Sequence, residues 1–440
     1  MKYIALTLIA SLSLLNASSL SETPSSNSLI VYNSNMGLVH EERDLSLKRS
    51  DKEIVYKGVA STIDTNSINV ELPKGVMLYS QQYRYDKLTQ QKLLEAHIGK
   101  VVEVEGSKVT LLAYSGSECL VKTVKNKIRT VASKDILFRK IPNSLLTKPS
   151  LVWNIQTNKN VDATMKLDYV INNISWKSNY ILNLHEDSAD LSGWISINNN
   201  AGKAFKDTTL YVLAGDVNRV KENPNRPRMM YMKSAMADAP KVREQAHEGY
   251  HFYTIPFQVN LKNHEKTEIK FVQKNGLDIR REYSAMLSNP LYLKGERKSD
   301  VLQYVHLSGL DVSLPKGVVR TYAKLDKTSI LLGESSVRHT PKNTPLNLKL
   351  GKNFDLKVTQ TVTTREDYKK SFHSNVKYMI RNASDEERSV KLFVPFNTRE
   401  SSVVETKQKY KFTKGNLLTF SVKVKANART TFDVYYESKK

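Results

Sequence analysis

A single cysteine, Cys119, stands in a chain of 440 residues. No intramolecular disulfide can form, so a bridge-stapled scaffold is excluded and stability must come from cores and sheet ladders. Glycine and proline are sparse at 17 and 13 residues, which excludes a collagen-like fibre. Acidic residues are also few: 44 Asp plus Glu face 67 Lys plus Arg, a formal net charge of +23. That excess draws a protein to anionic surfaces or polymers without naming one. After Leu15 no apolar run approaches the roughly 20 residues of a spanning helix. Two strings that mark catalysis, G-x-S-x-G and G-x-x-x-x-G-K-[ST], are missing as well.

What is present reads as sheet. Hydrophobic residues make up 40% and charged residues 25%, enough apolar content to exclude a wholly disordered chain and length for about three domains. The 22 Tyr, 12 Phe and 3 Trp fall mostly in short alternating runs. The N-terminus, MKYIALTLIASLSLLNASS, sets Lys2 before an apolar stretch from Ile4 to Leu15 and small residues from Ala17. This is the layout of a signal peptide over residues 1–18, cleaved near Ala17 or Ser18, with no cysteine for a lipid anchor. The expected location is the periplasm or the bacterial cell surface.

The expected fold class is mainly β: a small SH3- or OB-like barrel module near the N-terminus, followed by antiparallel β-sandwich domains. Residues 28–98 alternate apolar and polar positions, with Ile30 and Tyr32 sharing one face and Leu45 and Leu47 another. One short helix is expected within YRYDKLTQQKLLEAHIGK, lined by Leu88, Lys92, Leu93 and Ala96 and stopped at Gly99. Residues 99–148 hold very short strands broken at Gly106 and Gly116, the spacing of a small barrel. Tyr114 and Phe138 give such a barrel little surface for stacking bases, so no nucleic-acid partner is expected. Longer strands fill a central sandwich over 149–350, interrupted by the irregular stretch 218–249, and residues 351–440 read as a second, immunoglobulin-like sandwich.

Candidate chemistry is thin. His247, Glu248 and His251 spell H-E-x-x-H, the zinc-peptidase string, whose mechanism needs both imidazoles on one helix face and the glutamate as base. Gly249 inside the motif, Pro240 before it and the strand-like HFYTIPFQV after it all argue against that helix. Met229, Met230, Met232 and Met236 suggest a soft-metal site only if all four converge. Cys119 in SGSEC reads as a buried small residue, and the pairs Glu41/Glu42 and Glu386/Glu387 as solvated charge on turns. No catalytic residue, metal ligand or cofactor is therefore assigned. The expected binding surface is the long loop near Arg226, Arg228, Met229 and Tyr231, with Trp176 and Trp194 as sugar-stacking rings only if they escape the core.

Several segments carry a likeness: VYNSNMGLVHEERDLSL, YKGVASTIDTNSINVELP, KPSLVWNI, LDYVINNISWKSNYILNL, LPKGVVRTY and GESSVRHTPKNTPLNLKLGKNFDLKV. Together they resemble a widespread bacterial family of unknown function, some of whose members are labelled mucoidy-inhibitor-A-like. The likeness runs through nearly the whole mature chain and brings no catalytic residue with it. Many members carry a long coiled-coil-like insertion where this chain has its short helix and small module. The expectation is a non-enzymatic envelope protein that binds or supports another envelope component. Its partners would be an envelope protein or an anionic surface polymer such as polysaccharide or lipopolysaccharide, with peripheral membrane association or self-association through an open sheet edge as further expectations.

Overall fold

A computed structural model describes residues 19–142, 144–214, 245–247, 250–413 and 415–439. The signal peptide expected over 1–18 and the loop residues Arg226, Arg228, Met229, Met230, Tyr231, Met232 and Met236 lie outside the described residues. The protein is mainly β, with several antiparallel sheets and little helix. Among the described residues no helix is long and apolar enough to cross a membrane. The chain divides into two compact units, Met1–Trp176 with Ile197–Thr267, and Lys177–Ser196 with Glu268–Lys440. The boundary expected at 350/351 instead falls inside the continuous strand Leu346–Asp367. Residues 149–350, expected as one sandwich, are shared between the two units.

In the first unit the central strand is Met36–Leu47, flanked by Ser26–Tyr32 and Val161–Asn172. Val39, Leu45 and Leu47 point inward with near-zero exposure, as do Leu167, Tyr169 and Ile171 on the neighbouring strand. On Ser26–Tyr32, Ile30 and Tyr32 share one half-buried face, as expected, and the core face is the other one, Leu29 and Val31. A shift of one residue exchanges every inward side chain, which makes face assignment the fragile step in reading a strand. Leu210 to Leu213 run parallel to Leu29 to Tyr32, a pairing that the long connection between them permits.

A three-stranded sheet of Glu53–Lys57, Ser150–Thr157 and Val76–Arg84 has Ser150–Thr157 in its middle. The last two strands form a hairpin into which the small module is inserted. Its two ends meet where Asp86 N–H donates to Leu146 O at 2.8 Å and Leu146 N–H donates to the Asp86 carboxylate at 2.9 Å. Inside the insert, the helix Gln90–His97 is capped by Thr89, whose hydroxyl accepts from Lys92 N–H at 3.2 Å. It buries Leu94 and His97 rather than Leu88, which is 47% exposed. Gly99 ends it with a positive φ of 75°, and its N–H donates to Leu111 O.

Five short strands of the insert pair in an open antiparallel sheet. Val101–Val104 lies between Ser107–Ser115 and Ile136–Leu137, and Ile128–Ala132 forms the far edge. No closed barrel forms among the described residues. Cys119 is buried in its core, as expected, and burial pushes the thiol pKa up. Tyr114 and Phe138 pack against the same core.

The second unit has its own cores. One joins Tyr180, Leu182, Leu191, Val305 and Leu348; another joins Tyr283, Val358, Tyr378, Leu392, Phe420 and Val434. Among its mostly antiparallel strand pairs two are parallel, Ser178–Leu184 beside Gly317–Ala323 and Tyr283–Met286 beside Val390–Phe393. Glu282 ties its strand to two neighbours through His306 at 3.4 Å and Lys391 at 2.5 Å, and meets Arg280 of its own strand at 3.1 Å. Burial pushes its carboxyl pKa up, and those bonds and charges carry it below the usual value.

Candidate functional site

The strict alternation of Val39, Glu41, Arg43, Leu45 and Leu47 sets two charged residues at inward positions of a core strand. Glu41 is 2% exposed and Arg43 3%, so the reading of Glu41 as solvated turn charge is overturned. The neighbouring Glu42 faces outward, and Glu386 and Glu387 are exposed as expected. The inward pair survives burial because its partners are complete on the acidic side. Arg43 meets the Glu41 carboxylate at 3.1 Å, the Tyr56 hydroxyl donates to it, and Lys203 Nζ donates to its other oxygen. The Lys203 ammonium also donates to the Tyr169 hydroxyl at 3.3 Å. Arg43 further donates to Lys57 O at 3.0 Å and lies 3.9 Å from the Tyr56 ring centre, which in turn packs edge-on against Trp153.

The electrostatics follow from the count of charges. Burial pushes the Glu41 pKa up, but Lys203, Arg43 and the Tyr56 hydroxyl hold it below the ordinary carboxylate value. Burial lowers the proton affinity of Lys203, and Arg43 lowers it further against the pull of Glu41. The buried Arg43 and the half-buried Lys203 thus share the one buried carboxylate of Glu41, a local excess of one positive charge. Arg43 Nε is buried with no hydrogen-bond partner.

A cavity of about 320 Å³ adjoins this triad. Its lining includes Glu41, Arg43 and Lys203, together with the exposed Lys57, Lys148 and Lys206. Five cationic and three acidic side chains line it in all, Glu22 and Asp207 being the other two acids. Such a wall attracts a small anion, because each added negative charge relieves the buried excess. A second cavity of about 780 Å³ in the inserted module is lined by His97, Lys100, Lys108 and Arg139. There Arg139 is already held by Glu103 at 2.9 Å and Lys100 by Ala96 O at 2.8 Å.

The zinc string receives no helix. Gln245–His247 and Tyr250–Thr254 are antiparallel strands in which position 247 pairs with 250 and 246 with 251. The histidine positions therefore sit on two strands of a hairpin, where His247 was expected in the irregular stretch 218–249 and His251 at the start of the strand after it. Glu248 lies outside the described residues. Among those residues no group of three or more His, Cys, Asp or Glu could hold a metal. Trp176 is buried, its ring N–H donating to Leu213 O at 3.1 Å, while Trp194 is half-buried with the Lys270 ammonium 5.0 Å from its ring centre.

A row across the first unit's sheet was missed by sequence reasoning: Ser28, His40 and Asp168 are register partners on adjacent strands. His40 Nδ1 is 2.6 Å from Asp168 and its Nε2 3.6 Å from Glu42, so both ring nitrogens face carboxylates and the ring favours its charged form. No hydrogen bond joins Ser28 to His40 among the described residues, and the row is a surface ion-pair network rather than a nucleophile with its base. The hydrogen bond with Asp168 raises the His40 pKa despite partial burial. Its stabilising contribution is then complete below the unfolded value of about 6.5 and is lost as pH rises through the higher folded value. Thermal denaturation of His40→Gln against the parent should show a deficit near pH 6 that shrinks toward about pH 9. A deficit independent of pH would refute this pairing.

No family model and no curated protein matches the chain.

Proposed function

We propose that this is an exported, non-enzymatic binding protein of the bacterial envelope, belonging with the family it resembles, that captures an anionic group of a surface polysaccharide in the cavity beside Glu41, Arg43 and Lys203. The observation that carries the reading is the one-charge positive excess of that triad beside a cavity that Arg43 and Lys203 help to line. A cavity of about 320 Å³ is at the small end of ligand sites and suits one acidic sugar unit. The formal net charge of +23 supports the same class of partner by drawing an acidic polymer toward the protein.

The test is calorimetric titration with a uronic-acid oligosaccharide and with a neutral oligosaccharide of equal length. The acidic ligand should bind, weaken as salt rises, and raise the melting temperature, whereas the neutral one should do none of these. Lys206→Ala should reduce affinity about 3- to 10-fold, the worth of one charge-assisted contact, without unfolding the protein. Equal binding of both sugars, or acidic binding untouched by Lys206→Ala and by Lys203→Met, would overturn the assignment to this cavity.

A further inference from the structure

We infer that the strand Val76–Arg84 is a docking edge for an extended, acid-flanked peptide segment of another protein, which adds to the three-stranded sheet as a fourth strand. The strand pairs only with Ser150–Thr157, so alternate backbone N–H and C=O groups along its far side have no ladder partner among the described residues. Eight of its nine residues are exposed. Met77 and Tyr79 are each 60% exposed, Leu78 39% and Tyr83 36%, an unusual concentration of apolar surface on one open edge.

Proteins ordinarily protect such edges with short strands, lysines, prolines or a covering segment. Val76 to Tyr83 contains no charge and no proline. Other edges are better guarded. Asn69–Glu71 is only three residues long, and Ile128–Ala132 carries Arg129. The comparably long Thr328–Val337 is covered by a neighbour, with Ser335 Oγ donating to Lys349 O at 2.8 Å. An undefended edge of nine residues points to a partner strand.

Charge selects the occupant. From Pro73 to Tyr85 there is no acidic residue, while Lys74 and Arg84 mark the two ends, the half-exposed Arg84 also lying 3.9 Å from the Asp86 carboxylate and donating to Ser144 O at 3.2 Å. A segment with an alternating apolar middle and acidic flanks complements that pattern, its backbone completing the ladder and its carboxylates meeting the cations. A second copy of this chain would bring the same cationic ends and another +23 of charge, which opposes approach. A sugar polymer has no amide ladder to offer. This edge is separate from the cavity, and neither inference depends on the other.

The experiment uses the mature protein and a synthetic peptide of alternating valine and threonine with glutamates at both ends. Lysine-ended and proline-interrupted versions serve as controls. At a peptide concentration near ten times its Kd, hydrogen exchange of the amides from Met77 to Tyr83 should slow about tenfold. The controls should leave them unchanged. Tyr79→Lys and, separately, Met77→Lys should abolish the protection; both positions are exposed, so the fold is retained. Absence of protection, or equal protection by lysine-ended peptide, overturns the inference. So does self-association of the peptide-free protein in sedimentation that Tyr79→Lys abolishes, since the edge would then belong to a second copy.

Discussion

Replacing Glu41 with alanine is expected to lower folding stability by about 3–5 kcal/mol, the cost of leaving buried cations without their anion. Arg43 and Lys203 both lean on this one carboxylate, and the Tyr56 hydroxyl loses its acceptor as well. Lys203→Met should cost less than Glu41→Ala, because it removes the excess cation and leaves Glu41 paired with Arg43 and Tyr56. Urea denaturation of both variants measures the difference, and an equal loss would refute the charge count. The pH dependence has a definite sign. The Glu41 carboxyl is held below its unfolded value, so its contribution is present above about pH 4.3 and is lost as pH falls through the folded value. Glu41→Gln should therefore flatten the acid limb of the parent's stability profile.

Phe420→Ala is expected to remove about 3–5 kcal/mol from the second unit, by lost transfer energy and the cavity left behind. Phe420 is fully buried. Its ring centre is 5.7 Å from that of Tyr378 and 5.1 Å from that of Phe432, and the Tyr378 and Phe432 rings stack at 5.0 Å. The Tyr378 hydroxyl also shares a 2.8 Å hydrogen bond with that of Tyr436, and burial holds the Tyr378 phenol pKa up at about 12. Removing the ring at 420 thus withdraws packing from a tyrosine that anchors two strands. Phe420→Leu keeps most of the volume and should cost under about 1.5 kcal/mol. A small loss for the alanine variant in chemical denaturation would show that the aromatic cluster collapses around the gap.

The strands were legible because their polar and apolar residues alternate over short runs, as at Leu167, Tyr169 and Ile171. Which face is the core was less so, because every position from Leu29 to Tyr32 is apolar and only Leu29 and Val31 are buried. The interleaving of the units was illegible for a different reason. Residues 177–196 leave the first unit within continuous strands, where no proline, glycine run or change of composition marks the exit. The candidate site did leave a signal. In VHEERDLSL the period of two places Glu41 and Arg43 in line with Val39, Leu45 and Leu47, and a charge at a core position is where binding sites break the pattern. Adjacent charges masked it, since Glu42 and Asp44 make the stretch look uniformly solvated. Lys203 could not have been found, because it reaches Glu41 from 162 residues away.

The clasp between Asp86 and Leu146 gives the inserted module a particular standing in the chain's history. The hairpin pair Arg84 and Ser150 would still face each other if everything between them were exchanged for a tight turn. Loop closure becomes only slightly more costly with each doubling of length, roughly 0.6 kcal/mol, so the parent sheet is nearly indifferent to what hangs from this point. Such a joint accepts gain, loss or replacement of a whole folded piece as one event. The insertion point is thus a place where lineages can diverge in size while the sheet that carries Tyr56 and Trp153 keeps its register.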